Sequence, residues 1–166
     1  MFSAHDPSDV DRFFRGLAEY AFHTQLGVVD PPLVDYVAVL LIRFLRHDIG
    51  GAGLAGRTAA LDVTRLLVEA ERHAPEEACE EFRQIGDVTL FWSGLYPEAV
   101  RWDRKPTRED WLAAYRDAGK KAYWLASTLE PEEAADERLL LERLSHEFDL
   151  CVAGLREIRR AWGDAA

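Results

Sequence analysis

Leu141, Leu144, Phe148, Cys151, Leu155, Ile158 and Trp162 follow one another in alternating steps of three and four. That is the period of one face of an α-helix; on a strand the same residues would fall on both faces. A stripe this long must lie against other apolar helices. It therefore predicts a helix bundle with a long C-terminal helix beginning at Pro131. Two partners fit the stripe: the rest of the same chain, which would make it the spine of an intramolecular bundle, or a second copy, which would make it a homodimer seam.

The remainder of the chain reads as further helices. Asp6 or Ser8 can cap a first one. Val10, Phe13, Phe14, Leu17, Tyr20 and Ala21 form its apolar face, and Gly27 ends it. Asp30-Pro31-Pro32 is a helix start, because proline fits the first turn, where its missing N–H costs nothing. The helix that follows runs to about Arg46 and is apolar nearly all round, as suits the centre of a bundle. Thr58 is placed to cap a third helix through Arg72. Pro75 begins a fourth, with Glu76, Glu77 and Glu80 near the positive end of its dipole. Gly86-Asp87 is expected to interrupt it before a buried helical run, Val88 to Tyr96. Thr107 and Asp110 stand at capping-box spacing before a fifth helix with Trp111, Tyr115, Ala118, Ala122, Ala126 and Leu129 inward. Gly119 costs stability inside that helix, which close approach of another helix would offset. The expectation is one all-α domain over residues 1–166, a bundle of about six helices with a buried central helix.

Charge narrows the function. The chain carries 30 acidic against 20 basic residues, a net charge of −10. Nucleic acids and anionic membranes are held by lysine and arginine. The one basic cluster, Arg156, Arg159 and Arg160, is short, so neither partner is expected. Cys79 and Cys151 are far apart and lack zinc-finger or disulfide-framework spacing. The first residues lack the basic and apolar regions of a signal peptide. The longest apolar stretch, Val37–Leu45, is interrupted by Arg43. A cytoplasmic protein is expected.

Three patterns suggest chemistry. Gly51, Gly53 and Gly56 match the GxGxxG dinucleotide fingerprint, but that loop works only between a strand and a helix. The helix ending in Arg46-His47-Asp48 makes it a helix-to-helix loop instead, and no cofactor is expected. Glu19–His23, Glu69–His73 and Glu142–His146 are Glu-xxx-His pairs, spaced for ordinary pairing along a helix. The sequence Arg46-His47-Asp48-Ile49-Gly50, with His23 placed 24 residues before His47, resembles the HD-domain phosphohydrolases. Gly51 stands where that family commonly has lysine. The resemblance implies His23, His47 and Asp48 as ligands of a divalent ion that activates water against a phosphoester. No nucleophile elbow is present, because Phe91 stands where the motif before Ser93 needs glycine.

The most distinctive region runs from Gly86-Asp87 through Phe91-Trp92-Ser93-Gly94-Leu95-Tyr96 and on to Tyr115, Gly119, Lys120 and Tyr123. A buried Asp87 would need a partner: Lys120, a tyrosine hydroxyl or a helix N-terminus. Asp87, Trp92, Tyr96, Tyr115, Lys120 and Tyr123 are the candidate lining of a small pocket or partner groove. The function expected is a non-enzymatic interaction or regulatory domain, with a protein partner or self-association through the last helix. The alternative is an HD-like metal-dependent phosphohydrolase.

Overall fold

In the computed structural model, residues 7–49, 62–101 and 106–165 are described, with the side chains of 7, 8, 47–49 and 165 left aside. Seven α-helices and no strand occur among them. They are α1 (Pro7–Glu19), α2 (Pro31–Ile49), α3 (Val63–Ala70), α4 (Pro75–Leu95), α5 (Arg108–Leu129), α6 (Ala135–His146) and α7 (Phe148–Ala165). None of the described helices is long and apolar enough to cross a membrane.

The centre of the bundle is α4. From Ile85 to Leu95 all its residues are buried except Val88, which is half-buried. It packs along α5 on one side and α7 on the other. Three glycines set how close these helices come. A Cβ at Gly86 would lie 2.6 Å from the Tyr123 ring, one at Gly94 2.5 Å from Leu155, and one at Gly119 2.2 Å from the Thr89 hydroxyl. The expected interruption at Gly86-Asp87 does not occur: α4 is continuous, since a glycine is tolerated mid-helix where a neighbour takes the space of its side chain.

The caps follow the sequence in part. Thr107 accepts from the Asp110 N–H at 3.1 Å and its hydroxyl donates to the Asp110 carboxylate at 2.7 Å, capping α5. Asp30 accepts from the Leu33 N–H at the start of α2. The cap of α3 is Asp62, not Thr58. Asp62 has a non-helical backbone and accepts from the Arg65 N–H at 3.2 Å; Thr58 itself lies outside the described residues.

Two expected helices change course. The first continues beyond Glu19 as a π-helical segment, Tyr20–Gln25, closed by Gly27 in the left-handed region at φ 67°. Its wider turn rotates the face that follows. Tyr20, expected inward, is 45% exposed, while Ala21 and Phe22 are fully buried. Phe22 sits over Gly154 of α7, where a Cβ would lie 2.2 Å from the ring. The long C-terminal helix is broken into α6 and α7 at Glu147, which leaves helical geometry at φ −99°, ψ 21°. The i→i−4 bonds from Glu147 and Cys151 still bridge the break, so the stripe survives it. Leu141, Leu144, Phe148, Cys151, Leu155 and Ile158 are at most 1% exposed, and Trp162 is half-buried. The stripe is thus filled by the chain itself.

Candidate functional site

The polar centre of the molecule is Asp87, 1% exposed amid apolar residues of α4. Burying a carboxylate is costly unless it is paired and hydrogen-bonded. Here both oxygens are served. The Tyr36 and Tyr123 hydroxyls each donate to Oδ1 at 2.7 Å, and the Arg43 guanidinium donates to Oδ2 at 2.6 Å. Each donor is positioned by its helix. Tyr36 and Arg43 are seven residues apart, two turns along α2, and so share the face turned to α4. Tyr123 reaches Asp87 because the preceding residue, Gly86, leaves room for its ring. The two tyrosine rings meet edge to face at 6.4 Å.

Burial pushes both tyrosine hydroxyls well above their usual pKa, and the negative charge of Asp87 adds to the effect. They are hydrogen-bond donors at all ordinary pH. The Arg43 side chain is 48% exposed, so the network runs from the core to the surface and ends in water. Protonating Asp87 would weaken the charge-assisted bond from Arg43. The arrangement neutralises and fixes a buried charge.

The other expected lining residues separate. Trp92 and Tyr96 belong to an aromatic cluster at the C-terminal end of α4. Their centroids are 6.0 Å apart, Trp92 meets Phe91 edge to face at 5.3 Å, and Phe91 stacks on Phe44 of α2 at 4.6 Å. Tyr96 is covered by the Arg159 guanidinium at 5.0 Å. Lys120 does not meet Asp87; it pairs with Asp149 of α7 at 2.7 Å. Tyr115 is buried on α5 and its hydroxyl has no partner. Of the six residues, the structure joins only Asp87 and Tyr123 by a hydrogen bond. Sequence reasoning missed Tyr36 and Arg43. The signal was an arginine inside the most apolar stretch, with a tyrosine two turns before it on the same face.

The metal candidates also divide. His23 is exposed on the π-helical segment. The His47 and Asp48 side chains lie outside the described residues, as do Gly51, Gly53 and Gly56. The backbone does show where the doublet falls. Arg15 pairs with Asp35, and Arg46 with Asp11, so α1 and α2 run antiparallel. This sets His23 beside the start of α2 and His47-Asp48 at its far end, about 24 Å of helix away. Among the described residues, the group able to hold an ion is His73 and Glu77, both exposed, with the half-buried Glu81, their ligand atoms within 4.8 Å of one another. In it His73 Nδ1 lies 2.8 Å from Glu81, whereas Glu69 accepts from Arg65 at 2.9 Å. The basic cluster lines a groove of 460 Å³ with Gly94, Pro97, Gly163 and Asp164. Arg159 there is engaged by the Leu95 carbonyl and Glu98, and Arg160 by Glu157.

The hydrogen bond that the protonated His73 ring donates to Glu81 raises the His73 pKa above its ordinary 6.5, with smaller contributions from the charges of Glu81, Glu77 and Glu69. A raised folded-state pKa stabilises the fold below the unfolded value and loses that stabilisation as the pH rises through the folded value. The His73→Ala variant should therefore be less stable than wild type at about pH 6, the difference shrinking as the pH rises through the folded-state value. An imidazole titration by NMR should give a midpoint above 6.5 in wild type, moving down in Glu81→Gln. An unchanged midpoint in that variant would show that the contact is absent in solution.

Comparison of the chain with protein-family models, with curated proteins and with solved structures gave no match.

Proposed function

We propose that this chain is a non-enzymatic helical interaction or regulatory domain of the cytoplasm. Its contact surface is the outer face of α5 and α6. The observation that carries this reading is Trp124, which stands 44% exposed with its ring 5.8 Å from that of His146. Leu139, on the same helix as His146, is 51% exposed. A half-exposed tryptophan held by a neighbouring side chain is the kind of residue that anchors protein interfaces. Three further facts support the reading. The buried carboxylate is consumed by structural bonds, the apolar stripe of α6 and α7 is filled from within, and both cysteines are free. Self-association would therefore use the outer face of α5 and α6 and not the stripe of α6 and α7.

Sedimentation velocity across a concentration series tests this for a second copy. Wild type should shift to a dimer as the concentration rises, and Trp124→Glu should remain monomeric with unchanged helicity. Substituting a central anchor typically costs about 2 kcal/mol or more of association energy, roughly a thirtyfold rise in Kd. Dimers that persist undiminished in Trp124→Glu would place the contact elsewhere.

A further inference from the structure

Five buried side-chain atoms among the described residues have no hydrogen-bond partner, and three of them belong to the facing helices α4 and α5: Ser93 Oγ, Trp111 Nε1 and Tyr115 Oη. Their position follows from the register of α4 against α5. Gly86 lies against Tyr123, and Thr89 against Gly119. The two helices run antiparallel, so one turn further Ser93 comes opposite Tyr115. The same register is kept at the helix ends, where Arg108 donates to the Pro97 carbonyl at 2.6 Å. Trp111 is one turn before Tyr115 on the same stripe of α5. Ser93 and Tyr115 are each 3% exposed.

Tyr123 occupies the same stripe two turns on and donates to Asp87 at 2.7 Å. Tyr115 has equivalent burial and nothing to bond. Burial raises its hydroxyl pKa. Buried polar atoms are almost always satisfied, and an unpaired one costs the full loss of its hydration. Three on facing stripes define a polar spot inside an apolar contact.

We propose that Ser93, Trp111 and Tyr115 bind a neutral oxygen acceptor between α4 and α5. The indole N–H can only donate, and both hydroxyls can donate or accept, so the occupant must offer acceptor lone pairs. Ser93, Trp111 and Tyr115 are all uncharged, which favours a neutral group over an anion, because they would give an anion no counter-charge for the hydration it sheds. That chemistry has two sources: an internal water, or the carbonyl or hydroxyl of a small neutral molecule.

Thermal unfolding of Tyr115→Phe, Ser93→Ala and the double variant tests the site. If an oxygen is held there, each single variant melts about 2–4 °C below wild type, and the double variant falls by less than the sum, because the two share one occupant. A melting temperature unchanged or raised in Tyr115→Phe overturns the proposal, since that hydroxyl then had no bond to lose. The source is read at the Trp111 indole N–H, assigned by its loss in Trp111→Phe. A cross-peak to a long-lived water identifies solvent. A saturable shift on titration with acetamide, absent in the double variant, identifies a small carbonyl ligand. Neither signal at that proton also overturns the proposal.

Discussion

Replacing Asp87 by alanine is expected to lower the unfolding free energy by about 3 kcal/mol. The loss comes from the partners left behind. Tyr36 and Tyr123 both donate to Oδ1, and the Tyr123 side chain is fully buried. Without the carboxylate these hydroxyls keep their desolvation cost and lose their bonds. Arg43 contributes less, because its half-exposed guanidinium can return to water. Urea unfolding at constant m-value measures the change. Asp87→Asn, which retains an acceptor near Oδ1, should lose less than Asp87→Ala. Tyr123→Phe should cost about 1 kcal/mol in wild type and almost nothing in the Asp87→Ala background, because the bond it removes is then already gone. A loss below about 1 kcal/mol in Asp87→Ala would show the carboxylate to be dispensable to the fold and would return it to the list of binding groups.

Gly119→Ala sets helix propensity against packing, and packing should win. Alanine is the better helix former by about 1 kcal/mol. The added methyl would lie 2.2 Å from the Thr89 hydroxyl and 2.7 Å from the Phe148 ring. Neither neighbour can yield cheaply. Thr89 is bonded at 2.9 Å to the Ile85 and Gly86 carbonyls, and Phe148 is fully buried. Separating α5 from α4 and α7 at this point is expected to cost about 3 kcal/mol, leaving a net loss of about 2 kcal/mol. Gly16→Ala is the matched control. It lies on an exposed face of α1 with nothing within 4 Å of the new methyl, so it should gain close to the full propensity, about 0.5–1 kcal/mol. Opposite signs for the two variants would confirm close approach at Gly119; a gain at both would show that α5 is not held against its neighbours there.

Much of the architecture was legible because helix periodicity is a local signal. The steps of three and four from Leu141 onward, the proline and threonine starts of α2, α4 and α5, and the small residues at 86, 94 and 119 all reported helices and close contacts. The failures share one cause. Tyr20 looks inward on an ideal helix, but it stands 45% exposed where the π-helical segment begins, and the buried side chain there is Phe22, seated over Gly154 far away in the chain. Gly86-Asp87 looks like a break until Tyr123 fills the space above the glycine and bonds the aspartate.

The candidate site shows the same division. That a buried Asp87 must be partnered was readable from its apolar neighbours, and a tyrosine hydroxyl was among the partners named. Which groups supply the bonds was decided by the packing of α2 on α4, which brings in Tyr36 and Arg43 and sends Lys120 to Asp149. The sequence alone determined the helices, their apolar faces and the need for a counter-charge, because period and hydration act residue by residue. Only the tertiary structure decided which polar groups meet and which, like Ser93 and Tyr115, are buried without a partner in the protein. A hydrogen bond depends on distances of a few tenths of an ångström between helices far apart in the chain.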